Sequence, residues 1–433
     1  MLLVFVAKSI FLLTNANRSF IIILVIFMER QILHIDVNNA FLSWTAVDML
    51  KNGAEVDIRT IPAIIGGDES RRAGIVLAKS PVAKEFGIVT AETIYSAKKK
   101  CPKLAVFPPN FKVYSYYSKK LYNLLLEYTE IIERFSIDEC FLDMTKYLQG
   151  DTLLNKAKII SKRVKEELGF TVNIGVANNK LLAKMASDFQ KPDKIHTLFK
   201  EEIPTKMWPL PVGELFMIGR KSVPKLNNMQ IKTIGDLART DINLLIKKFG
   251  KHGKMMWEFA NGIDDSEVNN KVEKPKGVGN SVTLPVDISS KEKLSEILLS
   301  LADYVTYRLR KWNMIASTVN VQLRTKDFKD YSHQKKLYTA TSSTKIIYET
   351  AKELLDEMYS GEPIRLVGLR VDNLTDKEER QISMFDNEDI KKQDKLDKTL
   401  DDLKKKYGYQ SISRAGKMQV EEEFGDTEKN HKN

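Results

Sequence analysis

Three acidic side chains, Asp36, Asp138 and Glu139, are the residues of this 433-residue chain best suited by type and spacing to do chemistry. Asp36 closes the apolar run ILHIDV (32–37). Asp138 and Glu139 follow roughly a hundred residues later, in a turn between IIERFSI (131–137) and CFLDM (140–144). Carboxylates gathered at strand ends repel one another, and burial raises their pKa. A divalent cation reverses that sign, because Mg²⁺ takes hard oxygen ligands and is held by one or two carboxylates beside a substrate phosphate. The pattern therefore predicts metal-dependent phosphoryl transfer. A hairpin turn is an ordinary place for acids, so Asp138 and Glu139 alone would carry little; the apolar flanks and the companion Asp36 favour catalysis.

Strands and helices must hold these acids in register. Residues 31–37 read as a strand, followed by a helix from about Asn39 to Lys51. IRTIPAII and GIVLAKS read as strands around the turn GGDESRRAG, and ETIYSAKKKCP (92–102) as a helix stopped by Pro102. FKVYSYYSKKLYNLLLEYTE forms a long amphipathic helix ahead of the acidic hairpin. NKAKIISKRVKEELG is a second helix with apolar 3–4 spacing, stopped by Gly169. TVNIGVA is a strand, and NNKLLAKMASDFQKP a helix closed by Pro192. Short helical elements fill 204–266, and NNKVEKPKG (269–277) reads as a linker. Beyond it VTLPV, TVNVQLRT, KKLYTATS and PIRLVGLRV are strands; KEKLSEILLSLADYVTYRLRKW and TKIIYETAKELLDEMYS are helices. A polar tail begins at 374, with a helix near 389–407 whose Leu396, Leu400, Leu403 and Tyr407 share one stripe open to a second partner.

Length suggests roughly three domains, and 43% hydrophobic residues support packed cores. The 68 Lys and Arg outnumber 57 Asp and Glu, and the excess is uneven. Residues 374–433 hold 13 basic and 15 acidic side chains, leaving 55 against 42 in the body, a net +13. A basic body favours a polyanionic partner, nucleic acid first. Cys101 and Cys140 form no metal or disulfide spacing, which fits a reducing cytosol. The apolar residues 1–27 are interrupted by Lys8 and Arg18 and fall short of the ~18 uninterrupted residues of a spanning helix. They read as an upstream start ahead of Met28, outside the fold.

HIDVNNAF (34–41), SIDECFLD (136–143) and NIGVANNKLLAKMASDFQKP (173–192) resemble, in order, the three core motifs of Y-family translesion DNA polymerases, the polymerase IV group in particular. The likeness runs through a helix-hairpin-helix region to a final clamp-binding peptide, over about 28–386. It implies an α+β multidomain right hand: ferredoxin-like palm (28–39 and 107–197), small fingers (40–106), helical thumb (198–268), linker (269–279), α/β little finger (280–373) and tail (374–433). It further implies a monomer in the cytoplasm, away from membranes, working on primer–template DNA and deoxynucleoside triphosphates. Two Mg²⁺ ions would bind Asp36 and Asp138, with Glu139 on the ion near the primer and the Val37 carbonyl on the triphosphate ion. Phe41 matches the aromatic that rejects a ribose 2′-hydroxyl, although residue type alone leaves a core aromatic open.

On a helix over 179–191, Lys180, Lys184 and Lys191 fall within about 40° of one another, a basic stripe suited to phosphate. A solvated lysine face is the commoner meaning of such a stripe. The resemblance makes Lys191 a triphosphate contact and Lys84, in AKSPVAKEFG (78–87), the second, normally an arginine. Lysine there lacks the bidentate fork. Three more departures are Asn38 for the usual second aspartate, Ala40 for the aromatic before the gate, and Pro81 for the fingers tyrosine. They bear on nucleotide affinity and pocket shape, since no metal ligand is lost.

LPVGELFMIGRKSVPKLNNMQIKTIGDLA (210–238) reads as the helix-hairpin-helix, whose backbone N–H groups would meet a DNA phosphate without regard to sequence. Gly219 is kept there, while Met217 replaces the first hairpin glycine. Gln381, Met384 and Phe385 in QISMFD (381–386) resemble the peptide that docks on the bacterial sliding clamp. The leading expectation is low-fidelity, template-directed DNA synthesis. A catalytically inactive DNA-binding scaffold at the clamp is the alternative, and a palm-fold nucleotidyl cyclase leaves the hairpin region and residues 280–373 without a role.

Overall fold

The computed structural model describes residues 29–68, 72, 74–271, 273–377 and 388–412. The apolar extension 1–27 and the clamp-type peptide 381–386 lie outside these residues. In chain order, β1 (Ile32–Val37) leads into α1 (Ala40–Lys51), then β2 (Ala63–Gly66), β3 (Val76–Lys79), α2 (Pro81–Glu85), α3 (Ile94–Lys100) and β4 (Ala105–Phe107). There follow α4 (Phe111–Leu126), β5 (Ile132–Arg134), β6 (Glu139–Asp143), α5 (Leu153–Arg163), β7 (Val172–Ala177), α6 (Lys180–Asp188) and β8 (Ile195–Thr197). Short helices α7 (Val223–Asn227), α8 (Ile234–Arg239), α9 (Ile242–Phe249) and α10 (Lys251–Ala260) come next. The chain continues with β9 (Gly277–Ile288), α11 (Lys291–Lys311), β10 (Met314–Thr325), β11 (Asp330–Thr341), α12 (Thr344–Met358), β12 (Ile364–Asp376) and α13 (Glu388–Tyr407).

Two compact units result: residues to Thr60 with Lys112–Lys271, and Ile61–Phe111 with the chain after 271. In the first, a five-stranded sheet has the order β5-β6-β1-β7-β8. β1 and β7 are buried at every position, as continuous apolar runs demand of strands covered on both faces. α6 crosses β7 so closely that a Cβ on Gly175 would lie 1.8 Å from the Ala183 carbonyl oxygen. Only glycine allows that approach, and it seats α6 against the end of β1. Asn179 caps α6 by accepting the Leu182 N–H at 2.8 Å, and Asp264 accepts the Leu181 N–H at 3.0 Å. A carboxylate at a helix N-terminus is favourable. One apolar cluster runs from Ile32 and Phe141 through Leu182 and Met185 into Leu237 and Leu245, so the sheet and the short helices share a core.

The second unit holds two sheets, β3-β2-β4 and β11-β10-β12-β9. Ile64, Val76, Ile94 and Ala97 make the small core of the first. Leu298, Val305, Val319, Leu354 and Val367 lie in that of the second, beneath α11 and α12.

Several boundaries differ from expectation. Glu139 opens β6 rather than lying in the turn. SPVAKEFG contains a helix, α2, capped by Ser80. α6 stops at Asp188, short of Lys191. α1 belongs to the first unit, apart from most of the expected fingers range 40–106. Pairing of β9 to β12 extends the expected 280–373 region at both ends. α13 is present, but it docks by its charged face: Lys404 meets Asp303 at 2.6 Å and Arg310 meets Asp401 at 2.6 Å, while Leu396 and Tyr407 of the apolar stripe are exposed. No helix among the described residues is long and apolar enough to cross a membrane.

Candidate active site

Antiparallel pairing of β1 with β6 sets Asp36 opposite Glu139. The Val37 N–H donates to the Asp138 carbonyl at 3.1 Å, so the backbone lines up all three acids at one end of adjacent strands. Ser136 steadies the turn by donating its hydroxyl to Asp138 Oδ1 at 2.5 Å. Burial raises the pKa of Asp36 and of Glu139 above the usual carboxylate range, and the neighbouring acids push the same way. Lysines counter this only in part. Lys191 binds Asp36 directly, and Lys184 Nζ lies 2.6 Å from Glu139 Oε1.

The acids are therefore aligned by the strands but held by lysines. Among the described residues no three Asp, Glu, His or Cys side chains are gathered tightly enough to hold a metal ion. Two ammonium groups neutralise two of the three aligned acids, Lys191 on Asp36 and Lys184 on Glu139. The lysine stripe also needs correction. Lys191 lies beyond the end of α6, Lys184 is 8% exposed, and Lys180 pairs with Glu133 at 2.7 Å and covers the Phe141 ring. Lys184 holds Glu139 from within the site, Lys180 is engaged by Glu133 beside it, and the two form no open stripe with Lys191.

Two residues escaped the sequence reading. His34 is fully buried beneath the acids, with Nδ1 2.8 Å from Ser187 Oγ and Nε2 3.9 Å from Glu139 Oε2. Burial, aided by Lys184 and Lys191, pushes its pKa well below the ordinary value, so the ring is neutral at pH 7. Asp188 reaches both lysines, Lys191 at 2.8 Å and Lys184 at 3.5 Å. The spacing Lys184–Asp188–Lys191, four residues and then three, was the available signal.

Phe41 stands in the first turn of α1, its ring stacked on buried Tyr114 with centroids 4.5 Å apart. Asn38 is buried and donates its amide to Thr171 Oγ1 at 3.1 Å, which ties it to the residue just ahead of β7. Lys84 belongs to the second unit, exposed in the last turn of α2 behind Pro81. Lys79 lies near enough to be destabilised by it, after the larger effect of burial. In the hairpin region Met217, Gly219, Arg220 and Lys221 are all exposed. Met217 has φ 71°, the left-handed region that glycine favours. Burial pushes the Cys140 thiol up to about 12, as suits an inert core residue.

The family model described as the impB/mucB/samB family matches residues 35–188, and its C-terminal domain model matches 275–384. A model described as the DNA polymerase-iota thumb domain matches 214–264. DNA polymerase IV of Clostridium acetobutylicum is 51% identical over 395 residues, covering 91% of this chain and 100% of that protein. DNA polymerase IV 2 of Bacillus subtilis is 35% identical over 400 residues, covering 90% and 95%. A solved Y-family DNA polymerase chimera of Dbh and Dpo4 superposes with a TM-score of 0.70 over 80% of this chain and 99% of that one, at 23% identity, a likeness of fold. The chain belongs to the impB/mucB/samB family, the family of the DNA polymerase IV proteins.

Proposed function

We propose that this DNA-directed DNA polymerase copies damaged templates with low fidelity, joining deoxynucleotides with the help of two divalent cations. The observation that carries the reading is the register of Asp36 with Glu139 beside Asp138, buried and neutralised by two lysines. An oxygen-only donor set whose acids resist ionisation is one that hard cations relieve. Asp36, Asp138, Glu139 and the Val37 carbonyl would hold Mg²⁺, which supplies activation of a primer 3′-hydroxyl and a grip on the triphosphate. Lys191, released from Asp36, would take a phosphate oxygen, with Lys84 as the second phosphate contact. Phe41, braced by Tyr114, would press on the sugar and exclude a 2′-hydroxyl.

DNA would be held without regard to sequence. The exposed hairpin around Gly219 presents Arg220 and Lys221. A second surface, in the little-finger region, is the open face of the four-stranded sheet. Asn320, Gln322 and Arg324 alternate there with buried Val319, Val321 and Leu323, and Arg370 pairs across from Asn320. The small three-stranded fingers sheet implies few checks on the nascent base pair. Gln381, Met384 and Phe385 would bring the enzyme, as a cytoplasmic monomer, to the sliding clamp.

Primer extension by the purified protein with Mg²⁺, on undamaged and abasic templates, tests this. Extension past the lesion is expected, and Asp138→Ala should lower it by about a thousandfold or more. Undiminished extension by that variant would refute the catalytic assignment.

A further inference from the structure

We propose that Asp188 is a positioning residue: it is the shared acceptor that takes up Lys184 and Lys191 when cations and triphosphate claim the acids those lysines otherwise hold. This rests on the polymerase reading above. Five side chains of alternating charge run in series, Asp36, Lys191, Asp188, Lys184 and Glu139. Lys191 bridges Asp36 and Asp188 Oδ1, and Lys184 bridges Glu139 and Asp188 Oδ2. Asp188 thus gives one oxygen to each lysine. The outer acids of the series are the proposed metal ligands, and the central acid is not.

The setting of Asp188 is otherwise unfavourable. It is the last residue of α6, where the helix dipole disfavours a carboxylate. Cations on both of its oxygens offset that cost. Its side chain is 46% exposed, against 10% for Asp36 and 17% for Glu139. Asp188 therefore stays in contact with water while the two less exposed acids change partners. With ions on Asp36 and Glu139, the two ammonium groups lose their first partners and would face like charge. Asp188 keeps them neutralised and holds Lys191 at the edge of the site, ready for a phosphate. Without Asp188 the lysines have only the metal-binding acids as partners, so an arriving cation must displace tighter ion pairs.

The test uses the full chain on a primer–template ending in a dideoxynucleotide, so that no bond forms. The Mg²⁺ concentration giving half-maximal binding of the next deoxynucleotide is read from the fluorescence of a 2-aminopurine template base. Asp188→Asn should raise that midpoint roughly three- to fivefold. Asp188→Glu should restore most of the loss, and the Tm of both should stay within about 2 °C of the parent. If Asn at 188 misfolds, Asp188→Ser serves in its place. An unchanged midpoint overturns the proposal, as does a loss that tracks a falling Tm and is not restored by glutamate. Failure of the parent chain to bind nucleotide would instead sink the polymerase reading, and this inference with it.

Discussion

The Lys184 ammonium lies 2.6 Å from Glu139 Oε1, with both side chains largely withdrawn from water. Lys184→Met would keep the aliphatic stem and leave a buried carboxylate alone. Breaking such a pair from one side costs about 2–4 kcal/mol. Urea unfolding without Mg²⁺ should record that loss, and added Mg²⁺ should recover part of it. Equal stability of parent and variant would show that the pair contributes nothing.

Phe41 is fixed by its stack on Tyr114. Phe41→Val should therefore open room beneath the sugar and leave the α1 backbone intact. Ribonucleotide insertion relative to deoxynucleotide is expected to rise about a hundredfold. Single-nucleotide kinetics with matched triphosphates measure the ratio; no change would reassign Phe41 to the core.

Met217 spends its φ of 71° where a Cβ is costly. Met217→Gly should stabilise the chain by about 0.5–1 kcal/mol after glycine's own entropy is set against the relief. Thermal unfolding reports the gain, and a drop in stability would mean that the methionine side chain packs usefully despite its exposure.

Asp36 and Glu139 have pKa values raised in the folded state, chiefly by burial. The native state therefore binds more protons than the unfolded one as pH rises past the normal carboxylate range, and stability falls there. Mg²⁺ binds the ionised acids, so its stabilising effect should grow as pH rises past the ordinary carboxylate range. Melting curves with and without Mg²⁺ across that range check the trend. A Mg²⁺ effect that is flat with pH, or shrinks as pH rises, counts against these acids as ligands.

Periodicity exposed most elements, because a helix or strand is set by residues a few positions apart. The all-buried β1, the amphipathic α4 and the long α11 and α12 were legible for that reason. Local pattern was silent on what seats α13, whose apolar stripe leaves Leu396 and Tyr407 exposed. Asp397 and Lys404 are the buried positions, because their partners Arg310 and Asp303 come from α11. It misled at Lys191, since a uniform helix through 191 ignores the end of α6 at Asp188.

By itself the sequence determined which side chains could do the chemistry: the strand-end acids, the aromatic after them and the lysines of the third motif are properties of order and type. Which lysine meets which acid was decided only by tertiary structure. Lys184 and Glu139 are 45 residues apart, and Lys191 and Asp36 are 155 apart. Strand register and the close seating of α6 on Gly175 bring them together. Backbone periodicity carries no information over such separations; packing and charge neutralisation across the sheet do.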